Sequence, residues 1–171
     1  ERLQSLAAEI ERLTRIVDGL TLLAKADAGQ VKLELRPVAL AELVRESFED
    51  AQILAEPHGV TVILGACEEL TVTGNRDRLR QLLLNLVDNA VIHGEPGRRA
   101  QLTVRRDGSR ICVSVVNPGA VAKHVQGRLF RRFVTTRAGG GGTGLGLAIV
   151  RAVAEAHGGR AELAHAGRDA G

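Results

Sequence analysis

Residues 138–146 read Ala138-Gly139-Gly140-Gly141-Gly142-Thr143-Gly144-Leu145-Gly146 and run directly into an apolar helical stretch from about Leu145 to His157. A helix that opens on a glycine run leaves its first N–H groups unpaired and turns the positive end of its dipole toward whatever sits there. Such an end favours phosphate. Two familiar phosphate loops are excluded by context. Gly139, Gly141 and Gly144 satisfy GxGxxG, but no hydrophobic strand precedes them. Leu145 follows Gly144 where a Walker loop needs lysine. Taken alone, the run also fits a flexible linker, so the decision falls to its neighbours.

Upstream, Leu79, Leu82, Leu83, Leu86, Val87, Ala90 and Val91 predict a long helix from about Arg76 to His93. Asn85 and Asn89 lie four residues apart on its opposite face. Paired amides fit a solvated surface equally well. They also offer carbonyl oxygens, neutral hard ligands for a Mg²⁺ that takes its charge balance from phosphates. Between this helix and the glycine run, Gln101–Arg106 and Ile111–Val116 form a hairpin across Asp107-Gly108. The hairpin ends in Val116-Asn117-Pro118-Gly119, a polar side chain and then a glycine that allows close approach to the backbone. A helix from Leu40 to about Ala55, strands at Val60–Leu64 and Leu70–Thr73, and a last strand near Arg160–Ala164 complete the pattern. Strands and helices mix without strict βαβ alternation, so the expected class is α+β, a two-layer sandwich of one mixed sheet and one helical layer.

The first 29 residues are different. Leu3, Leu6, Ile10, Leu13, Val17, Leu20 and Ala24 recur at alternating steps of three and four, the spacing of a helix in a left-handed bundle. Ile16 and Leu23 widen this stripe, which favours a four-helix arrangement with helices outside this chain over a two-stranded zipper. The alternative is an ordinary amphipathic helix lying on its own domain. Gly29 stops the helix, and Val31–Pro37 reads as an extended linker.

Composition narrows the function. The 171 residues carry 23 Lys plus Arg against 20 Asp plus Glu, a small excess of +3, and only three aromatics, Phe48, Phe130 and Phe133. A nucleic-acid groove built on base stacking is disfavoured. No apolar run reaches the roughly 20 residues that would span a bilayer. Cys67 and Cys112 lack CxxC spacing, so they are expected to be buried thiols in a reducing compartment. With no methionine even at position 1, the chain is expected to be a piece of a longer protein.

Four motifs in order resemble the ATP-binding catalytic domain of bacterial sensor histidine kinases, within the Bergerat-type fold shared with gyrase, Hsp90 and MutL ATPases. Asn85-Leu86-Val87-Asp88-Asn89-Ala90 resembles the asparagine box, Asn117-Pro118-Gly119 the first glycine box, Leu129-Phe130-Arg131-Arg132-Phe133 the phenylalanine box, and Gly142-Thr143-Gly144-Leu145-Gly146-Leu147-Ala148-Ile149 the second glycine box. The opening helix, with Leu22-Leu23-Ala24-Lys25-Ala26-Asp27-Ala28-Gly29, is similar to the second helix of the preceding dimerisation domain.

The resemblance implies residues 1–29 as a dimerisation helix, 30–38 as a linker and 39–171 as the catalytic domain, its final strand truncated. It implies Asn89 on Mg²⁺ and Asn85 facing the phosphates as the catalytic pair. It further implies ATP held by Asn89, His93, Asn117, Gly119, Arg137, Gly142, Thr143, Gly144, Leu145 and Gly146 under a lid from about Ala120 to Gly141. The γ-phosphate would pass to a histidine, then to a response regulator. None of the five histidines lies in the opening helix, so the acceptor helix is expected to precede this piece. The implied setting is a cytoplasmic homodimer with a membrane-anchored parent.

Departures are specific. Asn117 stands where the family has Asp for the adenine amino group, keeping an acceptor but losing charge. Val121 replaces a glycine, Ile92 a basic residue, and Thr135 the lid arginine, with Arg137 two positions on. These losses keep open a kinase-like module with weak nucleotide binding. A gyrase-like ATPase is disfavoured, because Asn85 occupies the place of its Glu base and an amide takes no proton from water.

Overall fold

A computed structural model describes residues 2–119, 121–135 and 143–164 of the chain. In chain order the elements are α1 (Arg2–Asp27), β1 (Arg36–Ala39), α2 (Leu40–Ala55), a 3-10 turn at Glu56–His58, β2 (Thr61–Cys67), β3 (Thr71–Gly74), α3 (Arg76–Ile92), β4 (Arg99–Asp107), β5 (Arg110–Val116), α4 (Lys123–Gln126) and α5 (Gly146–Ala156).

A three-stranded mixed sheet lies under two helices. β4 is its central strand, parallel to β2 and antiparallel to β5. Its alternation turns Ala100, Leu102 and Val104 inward, where they meet Leu43 and Val44 of α2 and Leu83, Val87 and Val91 of α3. Ser47 is the only buried polar residue among those described, and its hydroxyl donates to the Leu43 carbonyl one turn back at 2.8 Å. α3 starts where expected because Asn75 caps it, its Oδ1 accepting the Arg78 N–H at 3.0 Å.

The α+β class stands, but the sheet is split. Among the described residues β1 and β3 pair only with each other, Pro37 opposite Thr73, and the Leu40 N–H extends that ladder to the Leu70 carbonyl. The extended run expected as far as Pro37 therefore ends inside a strand. The predicted last strand is absent: Arg160–Ala164 carries no strand pairing, although Arg160 and Glu162 form an ion pair on one side of it. A strand needs a partner to supply ladder hydrogen bonds, and β5 is bonded only to β4 among the described residues. Cys67 and Cys112 are free thiols but half-buried rather than buried, because each stands on an outer strand of the three.

α1 has two apolar faces. Leu6, Ile10, Leu13 and Val17 are each more than half exposed. Leu22 and Leu23 are buried against Leu145, Ala148, Ile149 and Ala152 of α5 and the residue before it, with Ile16 and Ala26 alongside. Ile16 and Leu23 thus do not widen the outer stripe, as their spacing suggested; they form a second face seated on the same chain. Gly19 is the notch in that face: a Cβ there would lie 2.7 Å from Cδ1 of Ile149. No helix among the described residues is long and apolar enough to cross a membrane.

Candidate functional site

α3 and α5 pack side by side and bring the asparagine face to the glycine-rich helix start. The Asn85 amide donates from Nδ2 to the Gln81 carbonyl at 2.8 Å, which fixes the group and leaves Oδ1 pointing toward α5. A Cβ added to Gly146 would sit 3.0 Å from that oxygen. Glycine at 146 is therefore what lets the α5 backbone approach Asn85. Asn89 follows one turn later and is half-buried, and His93 caps the helix, its N–H donating to the Asn89 carbonyl at 3.0 Å.

The entry into α5 is shaped by a second glycine. Gly144 has φ +65°, and a Cβ on it would fall 2.7 Å from the Phe133 backbone. Both the conformation and the contact demand glycine. The Phe133 N–H donates to the Gly144 carbonyl at 2.9 Å, and Phe133 itself is left-handed at φ +60°, with its ring exposed. The Leu145 N–H is taken by Thr143 Oγ1 at 3.3 Å, and Leu145 is buried against α1. Leu145 offers no side-chain cap to α5. The N–H groups of Gly146, Leu147 and Ala148 thus lack intrahelical partners, and Gly146 among them lies against Asn85.

On the other side, Asn117 and Pro118 leave β5 half-buried, and Gly119 turns the chain at φ +140°, a conformation that only glycine adopts without strain. Arg137 and Gly142, both predicted site residues, lie outside the described residues, as does most of the second half of the expected lid.

Two features carried no signal in the sequence. Arg132 donates from Nη2 to the Leu23 carbonyl at 2.9 Å and to Asp27 Oδ2 at 2.6 Å, tying the segment before the glycine run to the last turn of α1. Only proximity across 105 residues makes that pair. Asp88, between the two asparagines, keeps an exposed side chain, yet the protein packed around it pushes its carboxyl above the ordinary carboxylate value, with Arg15 of α1 opposing the shift. A shallow cleft lined by Glu34, Arg36, Glu42, Asn75 and Asp77 lies instead at the start of α3 and holds none of the predicted residues.

The chemistry available is recognition of a phosphate chain. Among the described residues no group of three His, Cys, Asp or Glu side chains could hold a metal. A divalent ion here needs oxygens from a bound phosphate in addition to the amides.

Residues 74–170 match the family described as histidine kinase-, DNA gyrase B-, and HSP90-like ATPase. The signal transduction histidine-protein kinase BaeS of Escherichia coli K12 is 34% identical across 96% of this chain and 36% of its own length. The probable sensor histidine kinase TcrY of Mycobacterium tuberculosis is 35% identical across 90% of this chain and 33% of its own. The chain thus spans about a third of these relatives. Among solved structures, full-length ShkA in complex with AMPPNP superposes with a TM-score of 0.74 at 33% identity, over 91% of this chain and 33% of that one. The catalytic domain of histidine kinase ThkA superposes at 0.64 and 29% identity, over 72% of this chain and 82% of that one. With the asparagine face seated on a glycine-rich helix start and the match covering both, the chain belongs to the histidine kinase-, DNA gyrase B-, and HSP90-like ATPase family, as an ATP-binding catalytic domain of the sensor histidine kinase kind.

Proposed function

We propose that the chain is the catalytic part of a two-component sensor histidine kinase, and that it binds Mg-ATP between α3 and α5. The observation that carries the reading is the close seating of the α5 start on Asn85, so close that a Cβ on Gly146 would lie 3.0 Å from the amide oxygen, which sets the open end of a helix beside a side-chain oxygen. Gly144 and Gly146 hold the phosphates through backbone N–H groups, while Thr143 holds the Leu145 N–H and Leu145 seats the helix start on α1; Gly142 and Arg137 complete the proposed set by their sequence positions alone. Asn85 faces the phosphate chain. Asn117 accepts the adenine amino group, Gly119 admits the ring, and His93 borders the site at the end of α3.

Asn89 would hold Mg²⁺ together with phosphate oxygens and water; when bound, the ion neutralises charge on the phosphates. The residues present fit that role, since one neutral amide beside a phosphate site is a small part of a six-oxygen shell. In the reaction, an imidazole nitrogen of a histidine on a helix outside this chain attacks the γ-phosphorus. The N–P bond forms, the bond to the β-phosphate oxygen breaks, and ADP leaves with the electron pair while the imidazole proton passes to solvent. The protein's part is positioning and electrostatic stabilisation.

The exposed stripe Leu6, Ile10, Leu13 and Val17 pairs with a second copy, so residues 1–29 act as a dimerisation helix, 30–38 as the joint and 39–171 as the catalytic domain. The phosphate then passes to a receiver domain of a response regulator. ThkA, a structural relative at TM-score 0.66 and 26% identity, has been solved with its response regulator protein TrrA. The parent is membrane-anchored through other regions.

Calorimetric titration with ATP and ADP, each with and without Mg²⁺, tests the reading. Saturable, Mg-dependent binding is expected, and Asn89→Ala is expected to weaken Mg-ATP by at least about tenfold, the net value of one hydrogen bond or ligand to a charged group. Absence of binding to the unmodified chain at millimolar nucleotide overturns it.

A further inference from the structure

Besides their aliphatic packing, α3 and α5 meet at two polar places. At the site end stand Asn85 and Gly146. At the other end, the Nε2 atom of His157, just past α5, lies 3.0 Å from the backbone nitrogen of Asn75, the cap of α3. Its Nδ1 lies 2.7 Å from the Val153 carbonyl one turn back.

These two contacts assign the proton. A carbonyl oxygen only accepts, so Nδ1 carries hydrogen; a backbone N–H only donates, so Nε2 keeps its lone pair. One neutral tautomer satisfies both. The imidazole reaches Asn75 by passing over Gly74, where an added Cβ would lie 3.1 and 3.2 Å from Cδ2 and Nε2.

We infer that His157 is a positioning residue of the nucleotide site, a tautomer-locked pin that sets the register of α5 along α3. The inference rests on the ATP reading above. Between the helices the packing is aliphatic, Leu82 against Leu145, Ala148, Ile149, Ala152 and Val153. Such contact is non-directional and tolerates sliding. A hydrogen bond is directional, and this one joins the end of α5 to the start of α3. From Asn75 to Asn85 is about 15 Å of helix, and from Gly146 to His157 about 16 Å. The pin and the site thus bracket matching lengths, and a slip of one turn, about 5.4 Å, would carry Gly146 and its N–H groups away from Asn85 and Asn89.

The test uses the 171-residue chain with His157→Leu, which fills the space without an acceptor, and His157→Gln, whose side-chain oxygen reaches the same distance from Cα as Nε2. Imidazole ¹⁵N spectra of the unmodified protein at mildly alkaline pH are expected to show His157 with hydrogen on Nδ1. Mg-ATP affinity is expected to fall about tenfold in the Leu variant, the net worth of one hydrogen bond, and to return to within about threefold in the Gln variant. The inference is overturned if both variants bind Mg-ATP like the unmodified chain while only their unfolding midpoints drop, which is what a purely structural histidine would do. It is equally overturned by an Nε2–H tautomer, a measurement that decides the matter even if the Leu variant does not fold. Failure of the unmodified chain to bind Mg-ATP while His157 shows the Nδ1–H form would count against the ATP reading, and the positioning role would fall with it.

Discussion

α1 and α3 are both long helices with a leucine-rich stripe, and they use it in opposite ways. Leu83, Val87 and Val91 of α3 are covered to within 2% by α2 and the sheet, whereas Leu13 and Val17 of α1 remain 52% and 60% exposed. Intrinsic helix-forming tendency does not separate them. What separates them is where the covering surface comes from: α3 finds it in its own chain, while the outer face of α1 has no cover among the described residues. A large apolar face left in water marks a contact surface, and its seven-residue spacing suits another helix.

Breaking the covered side should have the largest effect. Leu102→Ala removes a side chain with no exposure at the centre of β4, and a loss of about 2–5 kcal/mol in urea unfolding is expected. Leu13→Asp attacks the uncovered side. It should change monomer stability by less than about 0.5 kcal/mol, leave nucleotide binding intact and abolish self-association in sedimentation. Dimers surviving that change would mean that the stripe serves something other than a second copy. Asp27→Ala sharpens the boundary between the two regions by removing the ion pair to Arg132. Asp27 is exposed, so less than about 1 kcal/mol is expected, shrinking further in high salt.

The smallest effect is electrostatic. The native state holds the Asp88 proton more tightly than the unfolded chain does. Its favourable contribution is therefore complete below the ordinary carboxylate value of 3.8 and is lost as pH rises through the raised native value. Asp88→Asn should accordingly match the unmodified protein near pH 3 and gain a few tenths of a kcal/mol by neutral pH, a small figure because the side chain is exposed. Thermal midpoints across that range check the sign.

Much of this architecture was legible in the sequence because the signals were local. The extents of α2 and α3 matched the helical reading of the sequence, which for α3 came from apolar spacing, and the β4–β5 hairpin followed from its turn dipeptide. The order of the Asn-Asn helix, the Asn-x-Gly turn and the glycine-rich helix start points to the family on its own. What stayed hidden depends on partners far away in the chain. Whether Arg160–Ala164 becomes a strand depends on a neighbour to bond it, not on its own alternation. Which apolar residues of α1 face inward depends on α5, about 125 residues on. Arg132 with Asp27, and His157 with Asn75, are pairs that no spacing rule connects. The residue types were visible in the sequence, but their pairing exists only in the fold.

Gly19 sets two properties of α1 against each other. A glycine in mid-helix weakens it by about 1 kcal/mol relative to alanine, so selection for a stiffer α1 alone would replace Gly19 early. The same replacement puts a methyl group 2.7 Å from the terminal methyl of Ile149, whose end must then shift. Rod stiffness and the present fit of α1 on α5 thus pull against each other at this position. A motion travelling down α1 meets its softest point where the helix rests on α5.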